Sequence, residues 1–552
     1  MTPEALSAHL FAIVSERLSA VDGVSITESD AALERPRNRD HGDWASNIAM
    51  KLAKRLGTNP REFALELVPA IQAIDGVAAV DVAGPGFINI TLDTAAAGEI
   101  ARTVLEAGES YGHNAVLAGH TINMEFVSAN PTGPLHIGHT RWAALGDSIA
   151  RVLKASGAEV STEYYINDAG SQMDMFGLSV LAAAKGEPTP EKGYPGPYIG
   201  ELAKQVLAAV PDLLDKPHDE AVAIARDTAY ELQMAEIKHS LETFHVHFDV
   251  FFSERTLHAP DAVTGKTAID DAEERLRAQG HVFEADDAVW VRTTDFGDDK
   301  DRVLTRGNGI VTYFAADAAY YLSKKDRGFP EKIYLLGADH HGYVGRLKAL
   351  AAAAGDDPDT GLSVLIGQLV NLNGAKLSKR AGNIIELDDL LSWIGADALR
   401  FWLARYPADS PLALDGEKLR SRTNDNPVFY VQYAHARTRS VARNAAAAGV
   451  TRDDFEPSLL VHPTETALLG ALQEFPRIVA HSAELREPHR VARYLEELAG
   501  YYHRWYDACR VLPLGEEPIT PVHGTRLWLN DATGQVIRNG LDLIGVSAPD
   551  RM

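Results

Sequence analysis

His136 and His139 stand three residues apart with Gly138 between them, in the run Leu135-His136-Ile137-Gly138-His139. On a helix that spacing puts both imidazoles on one face. Gly138 leaves room for a flat group to lie against the backbone. Two imidazole donors beside free backbone N–H groups suit a triphosphate whose charge moves during reaction. Three further sets could do chemistry. Lys376-Leu377-Ser378-Lys379-Arg380 lies in a glycine-flanked loop and forms a cationic clamp able to neutralise a departing pyrophosphate. Tyr313 and Asp317, four apart, share a face if a helix begins there, and a carboxylate facing a pocket would suit a cationic substrate. An acidic residue at a helix start beside a core tyrosine would give the same spacing. Asp339-His340-His341 follows an apolar strand, but two adjacent histidines without further ligands are a weak metal signal.

The elements around the histidines decide what they can do. Ile122, Met124 and Phe126 alternate with polar neighbours, so Thr121–Val127 reads as a strand. The turn residues Asn130-Pro131-Thr132-Gly133-Pro134 end it. Ala144, Ile149, Val152 and Leu153 then recur at helical spacing, and Val160, Thr162, Tyr164 and Ile166 alternate as a second strand. Strand, helix, strand is a βαβ unit with a right-handed crossover. The histidines therefore fall where a strand's carboxyl end meets a helix N-terminus, the place where open parallel sheets bind ligands and the helix dipole favours phosphate. An isolated pair of this spacing is more often two surface histidines; the strand, turn and helix around it favour a site.

The chain has 552 residues, too many for one core, so three or four domains are expected. Its single cysteine, Cys509, excludes disulfides within the chain and a multi-cysteine zinc site, and fits a reducing cytoplasm. The N-terminal run does not read as a signal peptide, and no apolar run is long enough to span a membrane. A net charge of −24 argues against a polyanionic partner, but charge is local. Arg400, Arg405, Lys418, Arg420, Arg422, Arg437, Arg439 and Arg443 crowd one stretch.

Taken in order, residues 1–112 read as an α/β module, with helices over 4–20, 43–56 and 60–75 and strands at Val77–Val82 and Phe87–Leu92. A nucleotide-binding fold spans 116–395, with an insertion around 170–290 that is helical to about 245. Thr264-Gly265-Lys266-Thr267 ends like a P-loop but lacks its first glycine and its strand. Residues 396–552 read almost wholly helical, and Asn424–Arg439 interleaves aromatic and basic side chains. That suits unpaired bases and phosphates, although spacing alone favours an ordinary amphipathic helix with core tyrosines.

The run EFVSANPTGPLHIGH, Glu125 to His139, is similar to the HIGH signature of class I aminoacyl-tRNA synthetases and resembles arginyl-tRNA synthetases in particular. The loop at Lys376 resembles their KMSKS signature, with Leu377 in place of Met, and Asp397–Arg400 spells their DALR string. HGDWASNIAMKLAK, GPGFINITL and the ending through Met552 resemble the same family.

The resemblance implies a Rossmann-type parallel-sheet catalytic domain with a helical insertion. It implies an N-terminal α/β domain on the D-loop side of tRNA and a C-terminal α-helical anticodon-binding domain. The activity implied is that of an arginine–tRNA ligase, using ATP with Mg²⁺ and no protein-bound zinc. The partners implied are arginine, ATP and the arginine tRNA, for a cytoplasmic monomer without membrane attachment. The HIGH region would run through Ala129, Asn130, Pro131, Thr132, Gly133, Pro134, Leu135, His136, Ile137, Gly138 and His139. His136, Gly138, His139, Lys376 and Lys379 would be catalytic, with Asp339 and Ser378 also at ATP. Glu125 and Asn130 would flank the arginine amino group, Tyr313 and Asp317 would hold the guanidinium, and His340 would complete the arginine site. Phe87, Asn89, Tyr430, Tyr433, Arg437 and Met552 would touch tRNA, although Phe87 reads equally well as strand core. In this family arginine activation generally requires bound tRNA. A small-molecule ligase of the same chemistry would lack the helical tail, and a non-enzymatic RNA-binding descendant would have lost HIGH or the loop lysines.

Overall fold

The computed structural model describes residues 3–19, 21, 24–36, 41–338, 342–368, 370–373 and 385–552. In the N-terminal region, β1 (Trp44–Ser46), β2 (Val77–Ala83) and β3 (Phe87–Leu92) form an antiparallel sheet in the order β1-β3-β2. Helices Pro3–Leu18, Ile48–Leu56 and Pro60–Gln72 bury their apolar stripes with Ile88, Ile90 and Leu92. β1 corrects the helix expected over 43–56. The Asp43 carboxylate accepts the Leu92 N–H at 2.8 Å and its own N–H donates to the Ile90 carbonyl, so the chain is pinned to β3 before the helix starts at Ile48.

The site rests on a parallel sheet of β4 (Thr121–Glu125), β5 (Glu159–Ile166) and β6 (Val250–Ser253), followed later in the chain by two further strands. Between them lies a small antiparallel sheet of β7 (Val282–Ala285), β8 (Ala288–Val291) and β9 (Arg302–Thr305). The main sheet is completed by β10 (Glu331–Gly337) and β11 (Leu362–Gly367), in the order β11-β10-β4-β5-β6. The winding reverses between β4 and β10, which makes their carboxyl ends the ligand crevice of the doubly wound fold. Helices Ser171–Lys185, Pro197–Ala209 and His218–Thr243 leave the sheet after β5. The chain then returns to the main sheet as β6, inside the stretch that reads as one insertion.

Helix Ile137–Ala155 lies so close to the end of β4 that a Cβ on Gly146 would stand 2.3 Å from the Phe126 ring. Ile122 and Met124 face the core as their alternation requires. Their polar alternates Asn123 and Glu125 are buried too. A parallel sheet is covered on both faces, so here the polar face of β4 meets a second helix instead of water.

β12 (Val370–Asn373) pairs in parallel with β13 (Leu412–Asp415), a strand in a region that reads as helical. Beyond it, helices Pro427–Ala447, Pro463–Leu485, His489–Ala508 and Pro521–Leu543 form the C-terminal bundle. The DALR string opens helix Ala396–Ala404. Arg400 is fully buried there and spends its whole guanidinium. Nε donates to the Ile544 carbonyl at 3.0 Å, Nη1 to those of Phe244 and His245, and Nη2 meets Asp147 of helix Ile137–Ala155 at 2.5 Å. Asp397 accepts from the Ser547 N–H and hydroxyl and from Gln432. Among the described residues, no helix is long and apolar enough to cross a membrane.

Candidate active site

After β4 the chain enters a turn in which Val127 (φ 68°) and Ser128 (φ 45°) both take left-handed backbone. For a β-branched valine this is a strained conformation, of the kind proteins retain at working sites. The Tyr164 hydroxyl donates to the Ala129 carbonyl at 2.9 Å and the Tyr198 hydroxyl to that of Thr132 at 3.0 Å, so two tyrosines hold the loop.

His136 is the N-cap of helix Ile137–Ala155. Its Nδ1 accepts the Gly138 N–H at 3.1 Å, and the Nδ1 of His139 accepts the N–H of His136 at 3.3 Å. Both rings therefore carry their proton on Nε2. The rings lie 3.9 Å apart between centroids. A Cβ on Gly138 would stand 2.8 Å from His136 Cε1, so the second turn residue must be glycine for the first ring to fold back as a cap. Burial pushes both imidazoles below their usual range, His139 to about 3 with His136 adding to the effect. Near neutral pH the pair presents two neutral donors. They line a cavity of about 480 Å³ with Asn130, Thr132–Pro134, Glu386 and Tyr194–Tyr198 of the excursion after β5. Ile385, Glu386 and Leu387 pair with Leu135–Ile137 like a short strand, through Ile137 N–H to Ile385 O and Leu387 N–H to Leu135 O.

The polar face shared by β4 and β5 carries two carboxylate clusters, one on Glu163 and one on Glu125, which pair in register. Glu163 accepts from Arg327 at 2.6 and 2.9 Å, from the Tyr320 hydroxyl at 2.6 Å and from Asn123 at 2.9 Å. Burial alone would raise its pKa, but these donors and Lys324 outweigh it and hold it low. Glu125 is bonded by Lys324 at 2.6 Å and by the Ser128 hydroxyl at 3.1 Å.

Helix Tyr313–Asp326 begins at Tyr313, with the Thr312 hydroxyl accepting the Ala315 N–H at 3.4 Å. Tyr313 is 70% exposed and Asp317, one turn on, is partly buried. Loss of water around Asp317, with Glu125 and Glu254 nearby, pushes its carboxyl up to about 7, against a hydrogen bond from Tyr343 and the charge of Arg346. The structure thus brings Glu125 and Asp317 within electrostatic reach of each other and gathers His136, His139 and Asn130 around one cavity. Lys376, Ser378, Lys379, Asp339 and His340 lie outside the described residues.

The expected RNA-facing residues fall in two places. Tyr433 and Met552 line both a cavity of about 890 Å³ and an adjoining one of about 450 Å³, which Arg437 also lines. Arg437 donates to the Tyr433 hydroxyl at 2.7 Å and stacks over Tyr433 and Tyr506, while Tyr430 packs on His503. On β3, Phe87 is 38% exposed and outside the core, and Asn89 on the same face is buried. Sequence reasoning missed Lys324, Tyr343 and Tyr198. Lys324 continues the Tyr313–Asp317 helical stripe, which was a usable signal; Tyr198 carried none.

Paired Nε2–H donors at the first crossover of a doubly wound sheet make a site suited to nucleotide phosphates. Residues 101–400 match the family described as tRNA synthetases class I (R), catalytic domain; residues 8–92 match the arginyl tRNA synthetase N terminal domain and 431–552 the DALR anticodon binding domain. The chain is 65% identical to an arginine–tRNA ligase of Renibacterium salmoninarum and 64% identical to one of Pseudarthrobacter chlorophenolicus, each over the whole of both chains. The solved Thermus thermophilus arginyl-tRNA synthetase shares the fold over the full length of both chains, with a TM-score of 0.75 at 22% identity. This chain belongs to the arginyl-tRNA synthetase family.

Proposed function

We propose the following course for this chain, an arginine–tRNA ligase by family. A carboxylate oxygen of arginine attacks the α-phosphorus of ATP, and pyrophosphate leaves. A hydroxyl of the tRNA 3′-terminal ribose then attacks the arginyl carbonyl, and AMP leaves. The protein's part is positioning and charge neutralisation. His136 and His139 donate their Nε2–H groups to the ATP phosphates, and Gly138 leaves room for adenine. Lys376, Ser378 and Lys379 close on the leaving phosphates, Asp339 assists at ATP, and Mg²⁺ comes with ATP as part of that substrate. Glu125 and Asn130 receive the α-ammonium group, Tyr313 and Asp317 the guanidinium, with His340 beside them. A planar bidentate pair with Asp317 discriminates against lysine. The grooves at Tyr430, Tyr433, Arg437 and Met552, with Phe87 and Asn89, receive tRNA. The enzyme works as a cytoplasmic monomer.

The observation that carries this reading is the state of the two histidines: each has its Nδ1 committed to a backbone N–H and so offers Nε2–H at the cavity. The test is charging of total tRNA with each of the twenty amino acids in turn, read as AMP release. Release that depends on both arginine and tRNA is expected. Release with arginine but independent of tRNA would instead favour a small-molecule ligase, and no release an RNA-binding protein without catalysis.

A further inference from the structure

We infer that Lys324 is a positioning residue for arginine, acting through Glu125 by fixing the carboxylate that receives the α-ammonium group. This rests on the role proposed above for Glu125.

Lys324 is completely buried. It lies in the stripe Tyr313, Asp317, Tyr320, Lys324, spaced four, three and four along helix Tyr313–Asp326, so one helix face reaches from the guanidinium end of the pocket to Glu125. Its ammonium sits 4.4 Å from the Tyr320 ring centre and 4.0 Å from that of Tyr334, and 2.6 Å from Glu125 Oε2. Taking an ammonium out of water is costly, and an apolar side chain of similar length would fill the same space at least as well. Packing therefore does not explain a lysine here. Neither does Glu163, the neighbouring carboxylate, which already has Arg327, Tyr320 and Asn123 bonded to it.

What the lysine does is hold Glu125. The Ser128 hydroxyl takes Oε1 at 3.1 Å and Lys324 takes Oε2, so the carboxylate is fixed at two points and cannot rotate. The left-handed turn at Val127 and Ser128 brings that hydroxyl back onto Glu125. Each carboxylate oxygen can accept a further bond, which leaves capacity for a third donor from the substrate.

The experiment compares equilibrium binding of arginine with that of δ-guanidinovalerate, which is arginine without its α-amino group. It uses the full-length protein with tRNA present. Lys324→Met should weaken arginine roughly ten- to a hundredfold, the worth of a hydrogen bond to a charged group. It should leave δ-guanidinovalerate within about twofold. Equal weakening of both ligands, or of neither, overturns the inference. Glu125→Gln should show the same selectivity for arginine; if it does not, the role of Glu125 fails and the inference with it. If Glu125→Gln is selective and Lys324→Met is not, only the inference fails. Because Lys324→Met leaves a lone buried carboxylate, the double variant Glu125→Gln/Lys324→Met provides a folded reference without unpaired charge. It should bind arginine as Glu125→Gln does, and a further loss would overturn the action through Glu125.

Discussion

Two helices meet at Asp147, and they treat their signature residues in opposite ways. At the start of helix Ile137–Ala155, His136 and His139 use one ring nitrogen each to cap the helix and leave the other at a cavity. In helix Ala396–Ala404, Arg400 donates to three carbonyls and one carboxylate, and Asp397 is bonded by Ser547 and Gln432. The first string is half architecture and half chemistry. The second is architecture throughout: it ties the C-terminal segment at Ile544–Ser547 to the helix that carries the histidines.

The largest expected effect breaks the architectural side. Arg400→Met leaves Asp147 with Arg151 alone and takes the donor from the Ile544, Phe244 and His245 carbonyls, which should cost about 3–5 kcal/mol of stability. Thermal unfolding should show it, while kcat measured well below the melting temperature stays within a few-fold of wild type. Next, His139→Ala removes one donor aimed at developing charge. Its kcat should fall roughly 100- to 1000-fold, with a stability loss of only about 1 kcal/mol from the missing cap.

A third effect sharpens the contrast between a committed carboxylate, Asp397, and Asp317. In the free enzyme the Asp317 carboxyl titrates near 7, and the guanidinium needs it ionised. As pH falls below that value the group is neutral, so arginine affinity should fall by up to about tenfold per unit and level off above it. Asp317→Asn should raise the arginine KM and remove this dependence, with the ATP KM unchanged. The smallest effect is at the RNA grooves. Arg437→Ala should weaken tRNA binding modestly and flatten its salt dependence by about one phosphate's share; unaltered affinity at every salt concentration would place the contact elsewhere.

The strand, turn and helix around His136 were legible because each leaves a local mark: alternation, Pro/Gly punctuation and apolar residues at helical spacing. The Tyr313–Asp317 spacing was legible only on the condition that a helix begins there; the structure supplies that helix, with Thr312 as its cap. β1 was not, because three residues are too few to show a period and its partner β3 lies some 40 residues on. β13 and β6 are four residues each, and their pairing is settled by distant strands, not by their own pattern. The Glu125–Lys324 pair spans 199 positions, and only the fold brings it together. DALR was legible as a family mark; the bonds of Arg400 show what it does mechanically.

The most direct test of this division is to measure arginine-dependent ATP–pyrophosphate exchange, with tRNA present, beside the melting temperature for His139→Ala and Arg400→Met. The account predicts opposite signatures: exchange lost at a nearly unchanged melting temperature for the histidine, and exchange kept at a markedly lowered one for the arginine. Exchange retained in His139→Ala, or lost in a well-folded Arg400→Met, would contradict it.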